Sequence, residues 1–165
     1  MSAAAASSVS QSFGERVPMG RAAEIVRGVQ LVFAELGLAS LTEVTLANGR
    51  RADVMAVGRR GEIVIVEVKS CLQDFRTDQK WPEYAPYCDR FYFAIDCDFP
   101  KDRIPSEIGL MVCDGFGGVV LRECDASALS GARRKAVTLS FARLAAARLM
   151  RAGERGPAAA EPAID

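Results

Sequence analysis

Histidine is absent from this sequence. That excludes Ser-His-Asp and Cys-His catalysis, His-based hydrolytic centres and imidazole acid–base chemistry, so any catalysis must use carboxylates, lysine or thiols. No stretch approaches the roughly 18 uninterrupted apolar residues of a membrane span. The Ser/Ala-rich start, MSAAAASSVSQSFGER, has neither the basic region nor the continuous apolar core of a signal peptide. A cytoplasmic protein without a membrane segment is expected. There is no C-x-x-C pair either. The five cysteines, Cys71, Cys88, Cys97, Cys113 and Cys124, are odd in number and lie in or near apolar segments. Reduced thiols packed as small hydrophobes are favoured over a zinc or iron–sulfur site. Excess charge is missing as well: 21 basic and 21 acidic residues give a net charge of zero, so any nucleic-acid surface must be local.

What is present suffices for one domain. The chain has 165 residues, half of them apolar, enough for a single core. Residues 1–17 and 153–165 are Ser/Ala- and Gly/Pro/Ala-rich and read as disordered tails, leaving a domain over 18–152. Ile25, Val26, Val29, Val32, Phe33 and Leu36 recur at helical spacing between Gly20 and Leu36, with Gly37 just past the end. TEVTLA and RRADVMAV flank Asn48-Gly49, a hairpin signal. The run EIVIVEVKS is apolar on both faces and reads as a central strand. Residues 72–81 look helical up to Pro82, and residues 89–96 form a fourth strand. A late hairpin around Asp114–Gly117 and a closing helix over Arg133–Arg151 complete an α/β pattern of α-β-β-β-α-β with a mixed sheet.

The chemistry concentrates where the central strand ends. Charges after an apolar run are costly to bury, yet Glu67 and Lys69 stand there on one face, about 6.6 Å apart along the strand. If Arg59-Arg60-Gly61 is a three-residue loop with Gly61 left-handed, Gly58 pairs with Glu62 and Asp53 falls opposite Glu67; a two-residue loop puts Asp53 opposite Val66. Gly61 favours the first. Two carboxylates roughly 5 Å apart across strands repel unless one is protonated or a divalent cation lies between them. Mg²⁺ (or Mn²⁺) suits such a site, held by Asp53, Glu67 and a backbone carbonyl such as that of Val68. Lys69 then orients or deprotonates the attacking water. The alternative is a buried ion-pair cluster of the same three residues.

The strings R-R-A-D-V and I-V-E-V-K-S, in this order of elements, resemble the PD-(D/E)XK nuclease superfamily over residues 20–96. More narrowly RRADV, IVEVKS, DFRTDQKWPEY, CDRFYFAI, IPSEIGL and ARRKA are similar to the MmcB family of bacterial DNA-repair proteins. The resemblance implies a restriction endonuclease-like fold. It places Asp53 and Glu67 at the acidic metal ligands and Lys69 at the superfamily's lysine, with Ala52 standing where the motif has proline. It also implies DNA, and other repair proteins, as partners. Hydrolysis of DNA phosphodiesters is the implied activity, and a catalytically inactive DNA-binding or protein-interaction module is the alternative.

Other residues are candidates for support. Lys80 could contact the scissile phosphate, beside Asp74 and Asp78 on the same predicted helix. A third acid could come from Glu24 or Glu35 of the first helix. Glu43 is disfavoured, because a two-residue Asn48-Gly49 turn sets Val44 opposite Asp53 and turns Glu43 away. Glu24 is preferred. For DNA the basic candidates are Arg50, Arg51, Arg59 and Arg60 at the hairpins, and Arg133, Arg134, Lys135, Arg143, Arg148 and Arg151 along the closing helix. The aromatics of DRFYFAID allow a homodimer but fit a central strand as well.

Overall fold

A computed structural model describes residues 20–77 and 80–154. Helix α1 (Arg21–Glu35) buries Ile25, Val29, Val32 and Phe33, each such side chain contributing about 1.5–3 kcal/mol relative to exposure. It ends at Leu36, after which Gly37 turns left-handed at φ 73°, the conformation glycine adopts without a Cβ penalty. Strands β1 (Ala39–Thr45), β2 (Arg51–Val57) and β3 (Ile63–Lys69) follow as an antiparallel meander. Helix α2 (Leu72–Thr77) leads to a 3₁₀ segment (Trp81–Tyr87), then β4 (Arg90–Ile95), β5 (Gly109–Asp114), β6 (Gly117–Arg122) and α3 (Gly131–Glu154). The six strands lie in sequence order, with β3–β4 and β4–β5 parallel and the other neighbours antiparallel. The expected α-β-β-β-α-β core, late hairpin and closing helix are all there.

The two faces of the sheet carry separate cores. Helix α1 covers Val54, Ala56, Val64, Val66, Tyr92, Ala94 and Met111. On the other side Met55, Ile63, Ile65, Phe91, Phe93, Ile95 and Leu110 pack against the 3₁₀ segment and α3, through Tyr84, Tyr87 and Val137. Strand β3 is buried on both faces, which is why its sequence shows no polar alternation.

Two boundaries differ from the sequence reading. The helix expected over 72–81 is described only to Thr77, and Pro82 opens the 3₁₀ segment instead of closing an α-helix, since proline's missing N–H is tolerated in a first turn. The closing helix runs through Gly153 and Glu154, two residues expected in the tail. Residues 1–17 and the remainder of the expected C-terminal tail lie outside the described residues, as do Asp78 and the side chain of Asp74.

Both early hairpins use three-residue loops. At Arg59-Arg60-Gly61 the Gly58 N–H donates to the Glu62 carbonyl (2.9 Å), and Gly61 has φ 78°. Met55 therefore faces Ile65 and Val57 faces Ile63, as Gly61 implied. At the first hairpin the two-residue reading is corrected. Leu46 N–H donates to the Arg50 carbonyl (2.7 Å) around Ala47-Asn48-Gly49, and Val44 pairs with Ala52. Adding Ala47 to the loop slides β1 by one residue and brings Glu43 level with Asp53.

Candidate functional site

At the level of Asp53 the regular pleat is interrupted in both β1 and β2. Ala52 and Met55, three residues apart, both face the α3-side core, and so do Val44 and Leu41 on β1. Between them Glu43 adopts φ 51°, uncommon for a residue with a side chain. The β2–β3 ladder stops at Val54–Val66, and at the next level side chains replace it. Asp53 N–H donates to Glu67 Oε1 (3.2 Å), and Val68 N–H donates to Asp53 Oδ2 (2.8 Å). Each carboxylate thus accepts a backbone hydrogen bond from the opposite strand.

Glu67 and Lys69 are each only 6 % exposed. The Lys69 ammonium lies 5.7 Å from the Phe93 ring centroid, a cation–π distance, and its charge favours ionisation of both carboxylates. Burial nevertheless prevails. It raises the Asp53 pKa above the ordinary carboxylate value, with the Val68 hydrogen bond and Lys69 opposing it. Burial, reinforced by the Asp53 charge, pushes Glu67 up to about 7. The Tyr84 hydroxyl hydrogen-bonds the Glu67 side chain and lies 3.2 Å from the Arg51 carbonyl. The Tyr84 bond favours the ionised form of Glu67 and so opposes the effect of burial.

Asp53 and Val68 open onto a cleft of about 670 Å³ between α1 and β1, lined also by Arg27, Gln30, Glu43 and Ser70. Glu43 is the residue that sequence reasoning rejected. It pairs with Arg51 at 2.5 Å, raises the Asp53 pKa through its charge, and has its backbone held by α3: Arg148 donates to the carbonyls of Thr42 (2.6 Å) and Glu43 (3.1 Å). The available signal was the ambiguity of Asn48-Gly49, which fits a three-residue loop as well as a two-residue one. Glu24 is not among the residues that line the Asp53 cleft. It lines a separate recess with Arg21, Asp96, Asp98 and Asp114, one helical step away from the residues of α1 that face Asp53.

Several basic candidates are already engaged. Arg134 reaches Asp89 with two 2.6 Å hydrogen bonds and the Gly61 carbonyl with a third, which anchor α3 to the sheet. Arg133 stacks over Tyr87 at 5.0 Å, Arg50 grips Glu83 at 2.7 and 2.8 Å, and Arg51 is committed to Glu43. Lys135 is exposed on α3; Lys80 is exposed just before the 3₁₀ segment, where its carbonyl accepts the Glu83 N–H. Neither lines the Asp53 cleft among the described residues. Cys71 and Cys97 are exposed, so not all the thiols belong to the core, while Cys88 and Cys113 are buried. Burial pushes both buried thiols up to about 12, which makes them poor nucleophiles at neutral pH.

Among the described residues no group of three or more Cys, Asp or Glu side chains is arranged to hold a metal. A site completed by two carboxylates, water and substrate oxygen is not of that kind. Fold and site together define an α/β protein with a mixed six-stranded sheet and a carboxylate–carboxylate–lysine centre at the end of its third strand. Comparison with known proteins is more specific. The family described as DNA repair protein MmcB-like matches residues 11–156, and the chain belongs to that family. A protein of unknown function from Silicibacter pomeroyi has a solved structure similar to this one, with TM-score 0.80 and 35% identity, covering 87% of this chain and 100% of that one. No curated protein matches. Among the described residues no helix is long and apolar enough to cross a membrane.

Proposed function

We propose that this DNA-repair-family protein is a divalent-metal-dependent hydrolase of DNA phosphodiesters, of the PD-(D/E)XK type. The observation that carries the reading is the Asp53–Glu67 pair: a buried Glu67 beside a half-buried Asp53, both with raised pKa values, with Asp53 lining an open cleft. Burial and mutual repulsion disfavour the two anions, and a cation is the simplest agent that reverses both effects. Asp53 and Glu67, with the carbonyl of Val68, are the residues that hold Mg²⁺ or Mn²⁺, leaving positions for water and a phosphate oxygen. When bound, the ion supplies Lewis-acid polarisation and a more acidic water. Lys69 positions that water and compensates the carboxylates from the sheet's buried side. The aromatic packing of Phe93 and Tyr84 around Lys69 and Glu67 restricts bulk water to the cleft side.

A second reading has its own support. Each carboxylate already accepts a backbone N–H and both feel the Lys69 charge, as a structural ion-pair cluster in a non-catalytic DNA-binding module would. Labelled single-stranded, duplex and branched DNA, incubated with Mg²⁺ or Mn²⁺ and with wild type, Lys69→Ala or Glu67→Gln, separates the two. Cleavage by wild type and none by either folded variant is the expected result. DNA binding without cleavage of any substrate, and without a cation-dependent rise in melting temperature, establishes the second reading.

A further inference from the structure

We propose that nucleic acid is bound on the α1 face of the sheet, in the Asp53 cleft, with Arg27 as its phosphate contact. The inference shares with the nuclease reading the premise that the substrate approaches Asp53, but its content is a binding face. The helices lie on opposite faces, α1 on one and α3 on the other, so the choice is binary. Of the six basic residues of α3, Arg134 and Arg148 are turned inward to Asp89, Gly61, Thr42 and Glu43 and Arg133 lies on Tyr87, while Lys135, Arg143 and Arg151 are exposed but do not line the Asp53 cleft.

Arg27 stands in the opposite condition. It is exposed on α1 and lines the cleft that contains Asp53, and among the described residues it has no ion-pair or hydrogen-bond partner. Ala23, Arg27 and Gln30 follow the four-and-three spacing that puts side chains on one helical face, and all three line the cleft. Small Ala22 and Ala23 leave the wall low, while Arg27 and Gln30 supply donors. A guanidinium held beside Glu43 and Asp53 without an internal carboxylate partner is suited to a phosphodiester. It offsets the repulsion between those carboxylates and the strand. Backbone contacts of this kind carry no sequence information, so binding in the cleft tolerates any base order.

The full chain is titrated with a labelled single strand and a labelled duplex in EDTA, which prevents cleavage, between about 50 and 200 mM salt. Arg27→Ala is expected to weaken binding and to flatten the slope of log K against log salt by about 0.7–0.9, the share of one phosphate contact. Lys135→Ala and Arg143→Ala are expected to leave the slope unchanged. All three positions are exposed, and circular dichroism confirms that the variants fold. An unchanged slope for Arg27→Ala, a reduced slope for the α3 variants, or no binding of either probe by wild type overturns the proposal. The expected slopes in a protein that cleaves nothing with Mg²⁺ leave the proposal standing and reject the nuclease reading alone.

Discussion

Glu67 is the residue at which stability and function conflict most directly. Its pKa is about 7 in the folded chain against an ordinary 4.5. The folded state therefore takes up a proton that the unfolded chain does not, and stability falls as pH rises from about 4.5 through about 7. Removing the charge while keeping the shape should reverse the loss. Glu67→Gln is expected to raise metal-free stability at about pH 8 by up to about 3 kcal/mol and to change it little at about pH 4. Urea unfolding at the two pH values checks this; equal effects at both would show that Glu67 is not held protonated by the fold. Asp89 behaves in the opposite sense. Its two bonds to Arg134, helped by the N–H groups of Ile63 and Leu129, lower it to about 2. Its contribution is complete above about 3.8 and is lost as pH falls through about 2. Arg134→Met is expected to lower the melting temperature at neutral pH and to flatten its acid dependence between about pH 4 and 2. A variant with the wild-type acid profile would show that the pair is dispensable.

Elements were legible in the sequence to the extent that one conformation satisfied the local residues. Gly61 favoured its three-residue loop because a two-residue turn ending on it would need Arg60 left-handed as well, which Asn48 tolerates before Gly49 and an arginine does not; that register brings Asp53 to Glu67. Asn48-Gly49 was ambiguous: a left-handed Gly49 closes both two- and three-residue loops, and nothing local shows that Ala47 is part of the turn. The error moved Glu43 to the wrong face. Arg134 was illegible for a different reason, since an arginine on an amphipathic helix reads as surface until its buried partner, Asp89, is located 45 residues away. Helix α1 shows what packing adds to pattern. A Cβ at Gly28 meets the Asp114 carbonyl oxygen at 2.2 Å and that of Gly117 at 2.5 Å, so α1 lies directly on the β5–β6 turn. Alanine improves helix propensity by about 1 kcal/mol, but backbone atoms cannot swing aside as a side chain does. Overpacking of about 1–3 kcal/mol wins. Gly28→Ala is expected to lower the denaturant midpoint; a rise would mean that the hairpin yields freely.

For the whole molecule, the decisive quantity is the coupling between cation, proton and unfolding. A ligand that binds only the folded chain stabilises it by about 2.7 kcal/mol at a hundred times its Kd, which for a chain of this length raises the melting temperature by about 5–10 °C. In the metal site proposed here the cation competes with the proton that Glu67, at a pKa of about 7, takes up in its absence. Affinity should therefore drop about tenfold for each pH unit below about 7. Mg²⁺ or Mn²⁺ is expected to produce the full rise at about pH 8, little at about pH 5.5, and none after EDTA or in Glu67→Gln. The metal-free protein has the contrary trend at this group, being less stable at the higher pH, so the two curves converge in acid and separate in base. A buried ion-pair cluster gives no such divergence, because Lys69 is present at both pH values and no cation is taken up. Scanning calorimetry of wild type and Glu67→Gln, with and without cation at the two pH values, distinguishes these behaviours before any DNA substrate is chosen.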